Sequence, residues 1–187
     1  MANTVSVLDG VNIRLRLVEP DDATYIFGLR TDPRYNAHLS EVTGSAADQR
    51  RWIEAYKARE AAGKELYYLI ERRDTSKPCG TVRLYEIEED SFTWGSWILD
   101  ESKPRKAALE SALLSFDAGF ERLGLLRATI DVRRENKRAI EFYRRFGMSE
   151  IGSDEVNLYF DLDARAFSER RLELDQVVEA RQEDSSP

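Results

Sequence analysis

Residues 93–147 constrain the fold more than any other part of the chain. They begin with TWGSWIL, whose aromatic and β-branched residues predict a buried strand. After the polar break DESKPRK, apolar residues recur at helical spacing up to Gly124 and predict one helix: Leu109, Ala112, Leu113, Phe116, Phe120 and Leu123. LLRATIDV predicts a second strand, and a further helix follows between Asn136 and Gly147. This order predicts two strands joined by a crossover helix.

The flanking segments complete one mixed sheet. VNIRLRLV alternates apolar and charged residues, as a strand with one exposed face does. LYYLIER, CGTVRLYEI and SFTWGSWIL predict three antiparallel strands, with turns at residues 73–78 and 88–90, and VNLYFDL at 156–162 is the last strand. We therefore expect an α/β (α+β) fold with a single, mostly antiparallel sheet of six to seven strands and about four flanking helices.

Two helices are predicted between the strands VNIRLRLV and LYYLIER. Asp21 and Asp22 start the first, which Asp32-Pro33 ends. Ser45 and Asp48 form a variant capping box for the second, and Gly63 is its expected C′ residue. The polar segment 34–44 between them is expected to be an irregular loop.

Composition narrows the class of protein. With 187 residues and 42% hydrophobic content, the chain suits one domain with a full core. A net charge of −7 argues against a general nucleic-acid or anionic-membrane binder. No apolar run approaches the roughly 20 residues that a membrane helix needs, and the N-terminus lacks signal-peptide features, so a cytoplasmic location is expected. Cys79 and His38 are each the one residue of their type, so we expect no disulfide and no metal site.

The C-terminal segment is treated as an addition to the main domain. We place the domain at residues 1–163 and a helical extension with a tail at 164–187. The extension has apolar residues at Phe167, Leu172, Leu174, Val177 and Val178. It would pack on the domain or on a second copy in a homodimer, and the sequence leaves both open. Residues 184–187 are expected to be disordered.

NKRAIEFYRRFGM, residues 136–148, resembles the N-x-x-A-x-x-x-Y-x-x-x-G-F signature of the GNAT N-acetyltransferases. AALESALLSFDAGFERLGLLRATIDV resembles the acetyl-CoA helix and fifth strand of that family, and VNIRLRLVEPDDATYIFGLRTDP resembles its N-terminal part. The resemblance covers most of residues 11–162. It implies that the parallel strands 94–99 and 127–132 splay apart and that the pantetheine arm of acetyl-CoA lies between them.

The resemblance also implies a cofactor site. The turn before the long helix would bind the diphosphate of acetyl-CoA through N–H groups and the helix dipole. Pro104 and Lys106 occupy positions where the family usually has glycine, and three cations compensate. A positive charge at a helix start is unfavourable unless an anion is present, which favours a ligand there. The implied cofactor-binding residues are Trp97, Ile98, Leu99, Lys103, Pro104, Arg105, Lys106, Ala107, Ala108, Asn136 and Tyr143.

The motif places Tyr143 at the tyrosine that protonates the leaving thiolate, the catalytic role that the resemblance implies. Gly95 indicates either a bulge in its strand or packing against an aromatic ring. Many family members carry a glutamate where this chain has Thr93, so the base is open between Glu86, Glu41 and a water chain. The implied acceptor contacts are His38, Glu41, Trp52, Tyr56, Glu86 and Thr93, although Trp52 and Tyr56 also suit a core, and His38 also suits a surface loop.

Three functions remain open at this point. The resemblance favours transfer of an acetyl group to a primary amine, with a nucleotide-linked amino sugar as the leading acceptor class. A protein N-terminus, as in the ribosomal-protein acetyltransferases, is the second acceptor class. The third hypothesis is a non-catalytic ligand-binding or interaction module, because the phosphate turn is poor in glycine and the strand glutamate is absent.

Overall fold

We describe residues 5–38 and 42–180 of a computed structural model of the chain. An eight-stranded sheet has the order β1-β2-β3-β4-β5-β6-β8-β7. Its strands are β1 (Val7–Asp9), β2 (Ile13–Leu17), β3 (Leu66–Arg72), β4 (Pro78–Tyr85), β5 (Ser91–Leu99), β6 (Arg127–Arg133), β7 (Ser149–Ser153) and β8 (Asn157–Asp163). All neighbours pair antiparallel except β5 and β6, which are parallel. This confirms the predicted mixed, mostly antiparallel sheet.

The number of strands corrects the expected six to seven. The two unexpected strands, β1 and β7, lie at opposite edges of the sheet. β1 has only three residues, and all five residues of β7 are exposed. Neither therefore has the alternation of apolar and polar residues by which a half-buried strand is recognised.

Six α-helices accompany the sheet among the described residues. They are α1 (Ala23–Thr31), α2 (Pro33–Asn36), α3 (Ala46–Ala61), α4 (Ala107–Asp117), α5 (Lys137–Phe146) and α6 (Ala164–Glu179). The single turn α2 corrects the expectation of an irregular loop from residue 34: Pro33 is its first residue, and the Asp32 carboxylate accepts a hydrogen bond from the Arg34 N–H. Glu41 and residues 184–187 lie outside the described residues.

The limits of α3 follow the predicted signals, whereas the end of α4 does not. Ser45 and Asp48 form the reciprocal capping box of α3, and Gly63 follows that helix with φ +68°. The helix predicted through Leu123 is regular only to Asp117. It continues as a π-helical turn to Arg122, and Leu123 is 39% exposed.

The two faces of the sheet carry different helices. α4, α5 and α6 share the larger core, in which Phe116, Phe146 and Phe167 contact one another. α1 and α3 pack on the opposite face in a smaller cluster that includes Tyr56 and Tyr67. α6 buries Phe167, Leu174 and Val178. The extension therefore packs on the domain, the first of its two open alternatives, and a homodimer stays a prediction.

Candidate active site

The parallel strands β5 and β6 pair over only three residues. The pairs are Ser91 with Arg127, Phe92 with Ala128 and Thr93 with Thr129, and the ladder ends there. Beyond Thr93 the two strands diverge and leave a wedge between them. The implied splaying of this strand pair is therefore present in the structure.

A bulge in β5 accompanies the divergence. Thr81 pairs with Ile98 and Arg83 with Gly95, so Val82 alone faces two residues of β5. The first of those two, Ser96, has φ 47°, and its carbonyl accepts a hydrogen bond of 3.1 Å from the Thr81 hydroxyl. Both interpretations of Gly95 hold, since it borders the bulge and a Cβ there would lie 3.2 Å from the Tyr85 hydroxyl oxygen.

Two tryptophans attach β5 to the crossover helix. The Trp94 indole N–H donates to the Ser115 hydroxyl at 2.9 Å, and that of Trp97 donates to the Ser111 hydroxyl at 3.0 Å. Trp94 is fully buried, whereas Trp97 is only partly buried. Since both serines lie on α4, the helix fixes the wall of the wedge.

A first cavity of about 320 Å³ opens between the end of β5, the start of α4 and α5. Its lining combines apolar side chains with three cations: Trp97, Leu99, Lys103, Ala108, Asn136, Arg138, Ala139, Phe142 and Arg145. An apolar slot with cations suits a thioester arm that ends in phosphates. Five of the predicted cofactor-binding residues line this cavity. Ile98 is buried in β5 beside Leu99.

The turn before α4 takes the conformation that a glycine adopts readily. Lys106 has φ +66° at the N-cap, and Ala107 begins the helix. The Ala107 N–H donates to the Pro104 carbonyl at 3.2 Å, while the Ala108 N–H donates to no other described residue. Pro104 and Ala107 thus shape the turn, and the N–H groups at the start of α4 can bind an anion.

The predicted cations of this turn differ in their surroundings. The Lys103 ammonium is 3.3 Å from the Asp100 carbonyl oxygen at the cavity edge. Arg105 is exposed, and it forms no ion pair with any residue that the structure describes. The Lys106 ammonium is directed away from the turn and hydrogen-bonds the carbonyls of Val177 and Val178.

A buried carboxylate secures the first turn of α4. Glu110 is 3% exposed, and its carboxylate accepts hydrogen bonds from the backbone N–H of Asn12 at 2.8 Å and from the Asn12 side chain at 3.1 Å. An acidic side chain is also favourable at the positive end of a helix. Glu110 therefore fixes the start of α4 to the corner between β1 and β2.

Asn136 and Gly147 set the limits of α5, as predicted. The Asn136 side-chain oxygen accepts a hydrogen bond of 3.2 Å from the Ala139 N–H, and Gly147 ends the helix with φ +104°. The amide nitrogen of Asn136 still has donors for a ligand.

Tyr143 projects from α5 into a cluster of aromatic rings. Its ring centroid lies 6.0 Å from that of Trp94, 6.3 Å from that of Trp97 and 5.7 Å from that of Phe160. Burial, followed by the charge of Asp131, raises the pKa of the Tyr143 hydroxyl above its usual value. The hydroxyl therefore keeps its proton at neutral pH.

A second cavity of about 270 Å³ lies within the wedge, lined by residues of both β5 and β6. Trp97 and Asn136 line both cavities, so the two are neighbours. The lining of the second cavity is His38, Gly95, Ser96, Trp97, Asp131, Val132, Arg133, Asn136, Tyr143, Val156 and Asn157. Tyr143 lines the second cavity but not the first, beside Trp97 and Asn136, which line both.

The sequence analysis missed Asp131, which brings a carboxylate to the second cavity. β6 alternates, with Ala128, Ile130 and Val132 buried and the intervening residues outside the core. Asp131 lies two residues beyond Thr129, the last residue of β6 that pairs with β5. Where the pairing of β5 with β6 ends depends on the tertiary structure, so the sequence carried no local signal for Asp131.

The predicted acceptor contacts do not all come together. His38 lines the second cavity, and its Nδ1 is buried without a described hydrogen-bond partner. Thr93 donates to the Glu86 carboxylate at 2.8 Å, and neither residue lines that cavity.

Two of the aromatic candidates belong to the α3 side of the sheet. Tyr56 is fully buried and accepts a hydrogen bond from the Tyr67 N–H at 2.8 Å, so it is a core residue. Trp52 stacks on Tyr56, with ring centroids 5.9 Å apart, and Arg83 covers it at 5.1 Å. Trp52 lines a separate cavity with Arg30, Val42, Thr43, Asp48 and Gln49. Its role as an acceptor contact stays a prediction.

The profile of the Acetyltransferase (GNAT) domain matches residues 12–149. The chain belongs to the GNAT acetyltransferase family. GNAT acetyltransferases use acetyl-CoA, and this GNAT protein is accordingly an acyltransferase. A search of curated protein sequences gave no match.

Solved GNAT structures share the fold. The chain is 40% identical to apo FdhC, described as a nucleotide-linked sugar GNAT, with a TM-score of 0.83 over 89% of this chain and 95% of that one. The spermidine N-acetyltransferase of Vibrio cholerae in complex with CoA and spermine is 20% identical, with a TM-score of 0.72 over 84% of this chain and 98% of that one. The ribosomal-protein-S5-alanine acetyltransferase of Vibrio fischeri is 15% identical, with a TM-score of 0.71 over 84% and 96%. The last two similarities concern the fold alone.

No described helix is long and apolar enough to cross a membrane. No group of three or more His, Cys, Asp and Glu side chains in residues 5–38 and 42–180 is arranged as a metal site.

Proposed function

We propose that this GNAT enzyme transfers the acetyl group of acetyl-CoA to the primary amine of a nucleotide-linked amino sugar. The observation that carries the proposal is the pair of neighbouring cavities that share Trp97 and Asn136, with Tyr143 in the lining of the second. One is apolar and carries cations, and the other holds the carboxylate of Asp131. The acceptor class is supported by the 40% identity to FdhC over 89% of the chain.

The first cavity fits acetyl-CoA, which supplies a thioester-activated acetyl group when bound. Lys103, Arg138 and Arg145 would meet its phosphates, and the N–H groups at the start of α4 would bind the diphosphate. Asn136 would donate a hydrogen bond to the amide-containing arm. A backbone N–H of Ile98 or Leu99, on the diverging part of β5, would polarise the thioester carbonyl.

The chain's own residues would move two protons. The acceptor amine must lose a proton before it can attack, and the Asp131 carboxylate would hold the ammonium and accept that proton directly or through a water. The Tyr143 hydroxyl would donate its proton to the departing sulfur. Since burial keeps the pKa of Tyr143 high, the hydroxyl is in the acid form that this role requires.

An acceptor panel tests the proposal. The full chain is incubated with acetyl-CoA and, separately, a nucleotide-linked amino sugar, spermidine and a peptide with a free N-terminus, and thiol release is followed. We expect the amino sugar to have the highest kcat/KM, by about 100-fold or more, because a polar cavity rejects acceptors that leave its groups unpaired. A nucleotide sugar with a hydroxyl in place of the amine is the control and should release no thiol. Faster turnover of the peptide would replace the proposed acceptor class with a protein N-terminus.

Binding of acetyl-CoA is measured separately from turnover. A ligand at about 100 times its Kd stabilises the folded state by about 2.7 kcal/mol. We therefore expect a clear rise in Tm with acetyl-CoA. The absence of any shift at millimolar acetyl-CoA would contradict the assignment of the first cavity.

A further inference from the structure

Lys106 has an unusual backbone conformation at a sensitive place. It is the N-cap of α4, with φ +66° and ψ +6°. For a residue other than glycine, this left-handed backbone conformation is about 1–2 kcal/mol less favourable than the right-handed one, because the Cβ comes too close to the following carbonyl oxygen. The turn can keep this conformation only if other contacts stabilise it.

The contacts of the Lys106 side chain supply that stabilisation. Its ammonium donates hydrogen bonds to the carbonyl oxygens of Val177 and Val178, the latter at 3.3 Å. Both carbonyls belong to the last turn of α6, which ends at Glu179. The last carbonyls of a helix lack intrahelical partners and carry its partial negative charge, so a cation is favourable there.

α6 is itself firmly held on the domain. Phe167 packs against Phe116 and Phe120, with ring centroids 6.1 Å and 5.3 Å apart, and is 1% exposed. Arg171 forms an ion pair with Asp117 of α4. Near the end of the helix, Val178 is 5% exposed. The carbonyls that Lys106 binds therefore belong to a helix that is packed against the domain.

We infer that Lys106 is a positioning residue, which ties the diphosphate-binding turn to the end of α6 and so keeps the N–H groups of α4 available to acetyl-CoA. The C-terminal helix thereby takes over the conformational role that glycine would have in this turn. The inference rests on the proposed function, since it concerns the same cofactor site. It differs from the cofactor contact that the sequence implied for Lys106, because the ammonium acts through α6 and not on a phosphate.

The hydrogen bonds from the Lys106 ammonium to the carbonyls of Val177 and Val178 are called the anchor. Lys106→Met and Lys106→Arg test it. Methionine keeps the chain length and loses the charge, whereas arginine can still donate to the carbonyls of α6. We expect Lys106→Met to weaken acetyl-CoA binding about 5- to 10-fold by direct titration, the equivalent of about 1 kcal/mol. The kcat should stay within about twofold, because the reacting groups are unchanged. Lys106→Arg should keep the wild-type Kd, and an equal loss in both variants would contradict the anchor.

A second pair of variants separates anchoring from direct phosphate contact. Val178→Ala removes the buried contact that seats the last turn of α6, and Val177→Ala is the matched control, since Val177 is 47% exposed. We expect Val178→Ala to weaken acetyl-CoA binding as Lys106→Met does, and the double variant to lose little more, because both act on one contact. Additive losses, or no loss in Val178→Ala, would overturn the inference.

Hydrogen exchange gives a readout that needs no ligand. In the wild-type protein without acetyl-CoA, the amides of residues 105–109 and 172–179 are followed together. Loss of the anchor should speed exchange of both segments in Lys106→Met by about 5-fold or more and leave β3 and β4 unchanged. If the wild type fails to bind acetyl-CoA, the proposed function fails while this measurement still decides the anchor. Unchanged exchange in Lys106→Met would refute the anchor by itself.

Discussion

At the scale of single residues, Tyr143 combines burial with access to the second cavity. We expect Tyr143→Phe to lower kcat by about 100-fold or more, because the proton donor to the departing thiolate is lost. The Kd for acetyl-CoA should hardly change, since the ring keeps its packing. Steady-state kinetics and titration of acetyl-CoA measure the two quantities. Tyr68→Phe is the control, since the Tyr68 hydroxyl donates to the Val5 carbonyl at 2.8 Å outside the cavities. Wild-type turnover in Tyr143→Phe would remove the residue from the mechanism.

Asp131 carries the second prediction at this scale. Asp131→Asn keeps the size of the side chain and removes the charge that would hold the acceptor ammonium. We expect kcat/KM for the amine acceptor to fall about 100-fold, while the Kd for acetyl-CoA stays constant. Glu121→Gln is the matched control, since this exposed carboxylate lies on the π-helical turn outside both cavities. An Asp131→Asn enzyme with unchanged kinetics would return the role of base to Glu86, Glu41 or a water chain.

At the scale of secondary-structure elements, α6 is part of the main core and not a detached tail. Phe167→Ala should lower the free energy of unfolding by about 3–5 kcal/mol, because it leaves a cavity among aromatic rings. Leu172→Ala, on the same helix but 69% exposed, should change it by about 0.5 kcal/mol or less. Urea unfolding of both variants measures the difference. Equal stabilities would mean that α6 is not docked in solution.

The strand pair β5–β6 also shows how an element creates function. The parallel ladder ends at Thr93, and β5 bulges against β4 at Ser96 and Trp97, just beyond that last pair. The backbone groups that a complete sheet would pair are thereby left to a ligand. The same arrangement explains why both cavities share Trp97, the second residue of the bulge.

At the scale of the whole molecule, the first helix is joined to the sheet by a partly buried ion pair. Arg16 donates to the Asp22 carboxylate at 2.8 Å. Burial alone would raise the pKa of Asp22, but the hydrogen bonds from Arg16 and from the Glu19 N–H outweigh burial and lower it. Because the folded-state pKa is the lower one, this contribution to stability is present above about pH 4 and declines as the pH falls further.

The prediction is tested by urea unfolding between pH 2.5 and 6. Asp22→Asn should lose stability at pH 6, and its stability should fall less than that of the wild type towards pH 2.5. Asp90→Asn, at an exposed turn, is the control and should follow the wild-type profile. A parallel pH dependence of Asp22→Asn and the wild type would show that this ion pair does not contribute.

The sequence by itself determined the elements whose signals are local. Alternation in VNIRLRLV and short apolar runs bounded by turns elsewhere identified six of the eight strands. The caps at Ser45, Asn136, Gly63 and Gly147 gave helix limits, because each signal lies within a few residues. The family signature at residues 136–148 placed Tyr143 on α5. The edge strands β1 and β7 escaped detection because they are too short or too exposed to carry a period.

Tertiary structure decided what depends on distant parts of the chain meeting. The local spacing of β6 could not show that Asp131 shares a cavity with His38 and Tyr143, because this depends on where the parallel ladder ends. The conformation of Lys106 likewise depends on carbonyls 71 and 72 residues away. Local propensity fixes the elements of this enzyme, whereas its site is set by long-range packing and hydrogen bonds that only the folded chain brings together.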